Sequence, residues 1–129
     1  MSDAVVAAPG LIEAEHWSQL TFLSPPWCVT CGFPFDLAVG AEMVCGACAA
    51  DPPDFRRARA ALAYTDASRP LLLQMKHGGR RDGLDTFAAW MAQAGADVLS
   101  EADVLLPVPL HWRRLFLRRF NQAAWLAKA

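Results

Sequence analysis

The chain has 129 residues, is 54% hydrophobic, and carries a formal net charge of −1. That is a soluble globular composition with room for one modest domain or two small ones, and no apolar run approaches the length needed to cross a membrane. The opening "MSDAVVAAPGLIEAEHW" holds no Lys or Arg, so it lacks the basic region of a secretory signal, and the sequence places the chain in a reducing cytoplasm, where thiolates stay available for metal.

Residues 1–19 read as a weakly helical lead-in with Leu11 and Ile12 as apolar points, followed by Leu20, and the pattern ends before Pro25. Residues 20–54 hold every cysteine, spaced Cys28-x2-Cys31-x13-Cys45-x2-Cys48. Two C-x-x-C turns can close a tetrahedral four-thiolate shell around Zn²⁺. Gly32 and Gly46 accompany the two pairs, and glycine tolerates the positive φ that tight metal-binding turns often need. Between the pairs, "FPFDL", a turn near Gly40 and "EMV" can form a short hairpin. A redox pair of the thioredoxin kind would be a single C-x-x-C opening a helix after a strand, and paired disulfides would need an oxidising compartment. The spacing favours zinc over both. With cysteine at all four positions no open coordination site remains, so the metal is structural, and His16, His77 and His111 are not needed as ligands.

Residues 55–129 alternate in character. "FRRARAALAYT" sets Ala58, Ala60, Leu62 and Tyr64 on one face, as in a strand. Ser68 can cap a helix with Pro70 in its first turn, stopped by Gly78-Gly79. Asp82 can cap a second helix in which Leu84, Phe87, Ala88 and Met91 share a face, ended by Gly95. "ADVLLPVPL" is a continuous apolar run, the pattern of a strand buried on both sides of a parallel sheet. "HWRRLFLRR" is a basic connector, and "FNQAAWLAKA" begins another helix. Strands alternating with helices predict an α/β domain after a small β-rich zinc ribbon.

Charge is unevenly spread. Residues 1–55 contain seven acids and no Lys or Arg, whereas residues 104–129 contain five bases and no acid. In open α/β sheets ligands bind beyond the carboxyl ends of strands. Arg114 and Arg118 lie there, followed by Asn121 and Gln122 near a helix start, a set suited to phosphate or pyrophosphate. Charge alone is equally the mark of a solvated face. Lys76 at a helix end fits a dipole complement, His77 and His111 fit polar loop residues, and Trp27, Trp90, Trp112 and Trp125 fit packing better than base stacking. Between Cys28 and Cys48 there is no base, while Asp36 and Glu42 add negative charge, which disfavours nucleic acid at the ribbon itself.

"LSPPWCVTCG", "MKHGGR" and above all "LLPVPLHWRRLFLRRFNQAAWLAK" resemble the ComF family of competence and DNA-utilisation proteins, over about residues 20–129. The resemblance implies a double zinc ribbon joined to a type I phosphoribosyltransferase-like domain. It also implies a role in natural competence, with DNA-processing proteins, single-stranded DNA or a phosphorylated ligand as partners, the last two through the C-terminal arginines. Two departures stand out. The family's R-G-F-N-Q string here reads Arg118-Arg119-Phe120-Asn121-Gln122, with arginine in place of the glycine. The family's later acidic loop, which would cradle phosphoribosyl pyrophosphate, does not occur, so the chain reads as a C-terminally incomplete transferase-like domain, inactive alone. The alternative is a ribbon module that docks a partner protein or nucleic acid without catalysis.

Overall fold

The computed structural model describes residues 18–36, 40, 42–77 and 83–129. Most of the helical lead-in with His16, the tip of the expected hairpin, the Gly78-Gly79 stop and the Asp82 cap lie outside them, as do the side chains of Lys76 and His77. Among the described residues six helices occur: α1 (Gly46–Ala50), α2 (Arg69–His77), α3 (Leu84–Ala94), α4 (Ala96–Leu99), α5 (Trp112–Arg118) and α6 (Gln122–Lys128). Among those residues β-pairing is confined to two isolated antiparallel bridges, Phe22 with Leu62 and Trp27 with Pro34.

The cysteine-bearing segment folds back across its first C-x-x-C turn. The Cys28 N–H donates to the Phe33 carbonyl (2.8 Å) and the Phe35 N–H to the Pro26 carbonyl (2.9 Å). "FPF" therefore pairs with "PWC" ahead of it, where the sequence suggested pairing with "EMV"; Met43 instead offers its carbonyl to the Val29 N–H at 2.9 Å. The next segment runs antiparallel to residues 21–23, through Leu23 N–H to Ala61 O (3.0 Å) and Ala63 N–H to Thr21 O (2.9 Å). Its expected one-sided pattern fails, because Tyr64 is 69% exposed: a single bridge sets no pleated face to bury.

Local rules explain the helices. The start of α2 is a reciprocal capping box. The Thr65 N–H donates to Ser68 Oγ (2.8 Å) and the Ser68 N–H to Thr65 Oγ1 (3.3 Å), and the Thr65 carbonyl takes the Arg69 N–H at 2.9 Å. Ser68, fully buried, directly precedes the helix as expected, with its hydroxyl bonded back to the Thr65 N–H and the Ala63 carbonyl. Helix α3 begins after its N-cap Gly83, whose φ is +86° and which takes the place expected for Asp82, and it ends at Gly95 as the sequence suggested. Its buried residues are Leu84 and Trp90, whereas Met91 is 54% exposed. Trp90 fixes that face by meeting Phe22 (5.1 Å, 88°) and Phe87 (5.0 Å, 71°) edge-on. The basic connector is helical, as α5, with His111 accepting the Arg113 N–H at its start.

Among the described residues Leu20, Leu84 and Trp90 supply the large buried apolar side chains. Helix α3 packs on α6 and α4. The apolar run beyond α4 is not buried: Val104, Leu106 and Val108 are 69%, 82% and 75% exposed. The strand expected there thus lacks covering layers among the described residues. It borders an open apolar groove of about 610 Å³ between α3, α4 and α6, with Met91, Val98, Leu106 and Leu126 on its walls. No described helix is long and apolar enough to cross a membrane.

Candidate metal centre

The four cysteines meet in space. Their Sγ atoms all lie within 4.8 Å of one another, and none forms a disulfide. Cys28 and Cys48 are buried, Cys31 and Cys45 half-buried. A tetrahedral shell with metal–sulfur bonds of about 2.3 Å has sulfur–sulfur edges of about 3.8 Å. The Cys31–Cys45 separation of 3.7 Å already equals such an edge, so loading a metal requires only small contraction elsewhere. The donor set and spacing fit a thiophilic metal ion.

Each half of the shell is built by a short turn. Cys28, Val29, Thr30 and Cys31 turn tightly, closed by the Gly32 N–H on the Cys28 carbonyl at 2.9 Å. Gly32 takes φ +74°, and a Cβ there would stand 2.8 Å from the Ala58 carbonyl oxygen, so only glycine fits. Cys45 is the N-cap of α1 and Cys48 lies within that helix. Gly46 opens α1 with open space around it; the positive φ expected of it is absent. The second C-x-x-C does start a helix, as a redox pair would, yet both its sulfurs join those of the first pair, which is the metal-site arrangement.

Electrostatics divide the four thiols. Burial pushes the Cys28 thiol up, but the backbone N–H groups of Cys31, Cys45 and Thr30 outweigh it and bring it down to about 6; the Cys45 N–H lies 3.3 Å from its Sγ. Burial pushes Cys48 up to about 12, helped by the neighbouring sulfurs, and burial also raises Cys31. Cys28 therefore offers a ready thiolate, and Cys31 and Cys48 would give up their protons to a bound metal.

A residue that the sequence reading placed only in a strand braces this centre. Arg59 Nη1 donates to the carbonyls of Val29 (3.1 Å) and Ala58 (2.8 Å), and its Nη2 to Asp97 Oδ2 (2.6 Å). Its guanidinium also lies over Trp27, 5.1 Å from the ring centre. Arg56 and Arg57 pair with Glu101 at 3.2 and 2.9 Å. The one available signal was that three arginines follow directly upon 55 residues without a base.

The residues suggested for an anion site occupy the α5–α6 corner. Arg114 and Arg118 lie four apart on α5, and no ion pair to either occurs among the described residues. Asn121 caps α6, accepting the Ala123 N–H (3.0 Å) while donating to the Val108 carbonyl (3.1 Å); Gln122 is buried in the first turn. Both ends of the Asn121 amide are thus engaged in holding the corner. Among the tryptophans, Trp90 is core and Trp125 stacks on Phe120 (4.6 Å, 12°), whereas Trp112 is 67% exposed beside Arg113. No protein-family model, curated protein or solved structure matches the chain.

Proposed function

We propose that the first half of this chain is a zinc ribbon in which a structural Zn²⁺, held by Cys28, Cys31, Cys45 and Cys48, fixes the fold. The convergence of all four sulfurs within 4.8 Å carries the reading. A closed four-thiolate shell accommodates zinc or iron; zinc is the reading proposed because a structural role needs no redox chemistry. Protein purified under reducing conditions should contain about one zinc per chain, and Cys28→Ser should lose it. Protein without bound metal, or visible absorption from thiolate-bound iron, overturns the zinc assignment.

The second half is read, on the ComF resemblance alone, as the opening of a phosphoribosyltransferase-like domain serving DNA uptake or utilisation. Two observations bear on its phosphate-binding corner. Arg119, standing where the family has glycine, takes φ +59°, the conformation that glycine serves. Arg114 and Arg118 present two guanidinium groups on one short helix, a suitable feature for phosphate. Pyrophosphate binding that weakens on Arg114→Ala or Arg118→Ala, but not on Arg56→Ala, is the expected result. Equal loss from all three reduces the arginines to diffuse charge.

A further inference from the structure

Arg59 is a buried cation with an incomplete set of partners. Its side chain is 5% exposed, and its Nε is enclosed without a hydrogen-bond acceptor. Its carboxylate partner Asp97 is 41% exposed, so water screens that end of the pair. Burying a guanidinium with one nitrogen unsatisfied is unfavourable unless another charge favours it. The guanidinium also grips the metal-binding turn, through the carbonyl of Val29, which directly follows Cys28. The Ala58 N–H bonds the Thr30 carbonyl (2.7 Å) in the same turn. No Lys or Arg occurs from Cys28 to Cys48.

A divalent ion with four thiolates carries a net charge of about −2. We infer that Arg59 is the counter-charge of the metal centre: its guanidinium, anchored on the Val29 carbonyl, stabilises the loaded tetrathiolate and joins it to α4 through Asp97. The inference rests on the metal reading above. The loaded shell supplies the negative charge that favours a buried cation there. The Nη2 bond to Asp97 holds the guanidinium in place and ties the ribbon to the helical half. Arg59 meets the Val29 and Ala58 carbonyls, the Asp97 carboxylate and the Trp27 ring, so its role here is positioning and charge balance and not ligation.

Competition with a chromophoric chelator, on the full chain loaded with Zn²⁺ or with Co²⁺, tests this. Arg59→Met should weaken metal binding by about 10- to 100-fold, the range for residues that support a ligand shell. Arg59→Lys keeps the charge and should recover most of that loss. Asp97→Asn separates charge from bracing: a counter-charge role predicts metal affinity equal to or above wild type, because the guanidinium is no longer shared with a carboxylate. Arg56→Met, an exposed surface control, should change nothing. The Co²⁺ spectrum should keep its tetrahedral form in each variant that binds, showing that the ligand set is intact. Wild-type affinity in Arg59→Met overturns the inference, as does an Arg59→Lys variant no better than Arg59→Met. A drop in Asp97→Asn matching that of Arg59→Met also overturns it, since bracing alone would then explain both. A wild-type chain that takes up no metal overturns the metal reading itself.

Discussion

Gly32 and Gly46 follow the same motif logic and have opposite physical roles. Gly32 sits at φ +74° with the Ala58 carbonyl 2.8 Å from where a Cβ would be, while Gly46 begins α1 with nothing within 4 Å. Gly32→Ala should destabilise by about 2 kcal/mol or more, since a left-handed alanine alone costs about 1–2 kcal/mol and the backbone oxygen must also move. Gly46→Ala should be neutral or stabilising by up to about 1 kcal/mol, because alanine restricts the unfolded chain and favours the helix. Thermal melts of the two metal-loaded variants check the pair, and equal melting temperatures would contradict the tight approach. The thiols carry a second expectation. Cys28, held down to about 6, is thiolate at neutral pH, whereas Cys48, pushed up to about 12, is thiol. Metal binding near pH 7.5 should therefore release fewer than four protons, and apparent affinity should rise with pH. Titration calorimetry in buffers of different ionisation heat counts them, and release of four protons would contradict the depressed Cys28. The metal-free fold has the matching signs. Cys28, lowered from 9.0, contributes stability that is present above pH 9 and lost as pH falls towards 6. Cys48, raised from 9.0, contributes stability that is present below pH 9 and lost as pH rises towards 12.

Helix α5 ends on a residue ill suited to its backbone. Arg119 is its C-cap at φ +59°, ψ +9°, donating its N–H to the Leu115 carbonyl. Glycine is the usual occupant of such left-handed caps. Arg119→Gly should stabilise the chain by about 0.5–1 kcal/mol through relief of that strain, read as a raised denaturation midpoint. No change, or a loss, would mean that the arginine side chain makes a compensating contribution. The α2 start shows the same local chemistry used well, since Thr65 and Ser68 satisfy each other's N–H groups and so fix the register of the turn before Arg69. On α3 the apolar stripe is wider than one set of contacts can cover. Trp90 meets Phe22 and becomes core, and Met91, one step round the helix, is left on the groove wall.

Few large side chains are buried, and many are not. Leu106, 82% exposed, lines a groove of about 610 Å³ with apolar walls, and Phe116 and Leu117 on α5 are each 81% exposed. Exposed apolar surface of this extent binds fluorescent apolar dyes. The metal-loaded protein should bind such a dye without denaturant, and Leu106→Lys or Phe116→Lys should lower the signal while leaving the melting temperature nearly unchanged, because neither side chain supports the core. Absence of dye binding by the wild-type chain would mean that this surface is covered in solution. The ribbon and the helical half meet at the Phe22–Trp90 contact and through arginines of residues 56–59 reaching Asp97 and Glu101. Exposed pairs of this kind contribute little individually, which gives the metal shell and the buried Arg59 greater weight in holding the molecule together.

The sequence by itself determined the four-cysteine cluster and several helix limits. Paired C-x-x-C turns fix their sulfurs through covalent geometry over four residues, and Asn121 and Gly95 act on backbone groups within a turn of themselves, so these features are written locally. It did not determine that the Ser68 hydroxyl bonds back to Thr65 and Ala63. The tertiary structure decided what depends on neighbours far along the chain. Arg59 acquires its role from Val29 and Asp97, which lie 30 and 38 residues away. Phe22 selects the buried face of α3 from 68 residues away, across the Phe22–Trp90 contact. The run Val104–Val108 has the composition of a buried strand, yet burial is a property of what covers a segment, and no periodicity within it specifies the cover. The acidity of Cys28 is of the same kind: it follows from three backbone N–H groups turned towards one sulfur, an arrangement that exists only once both C-x-x-C turns have closed on each other.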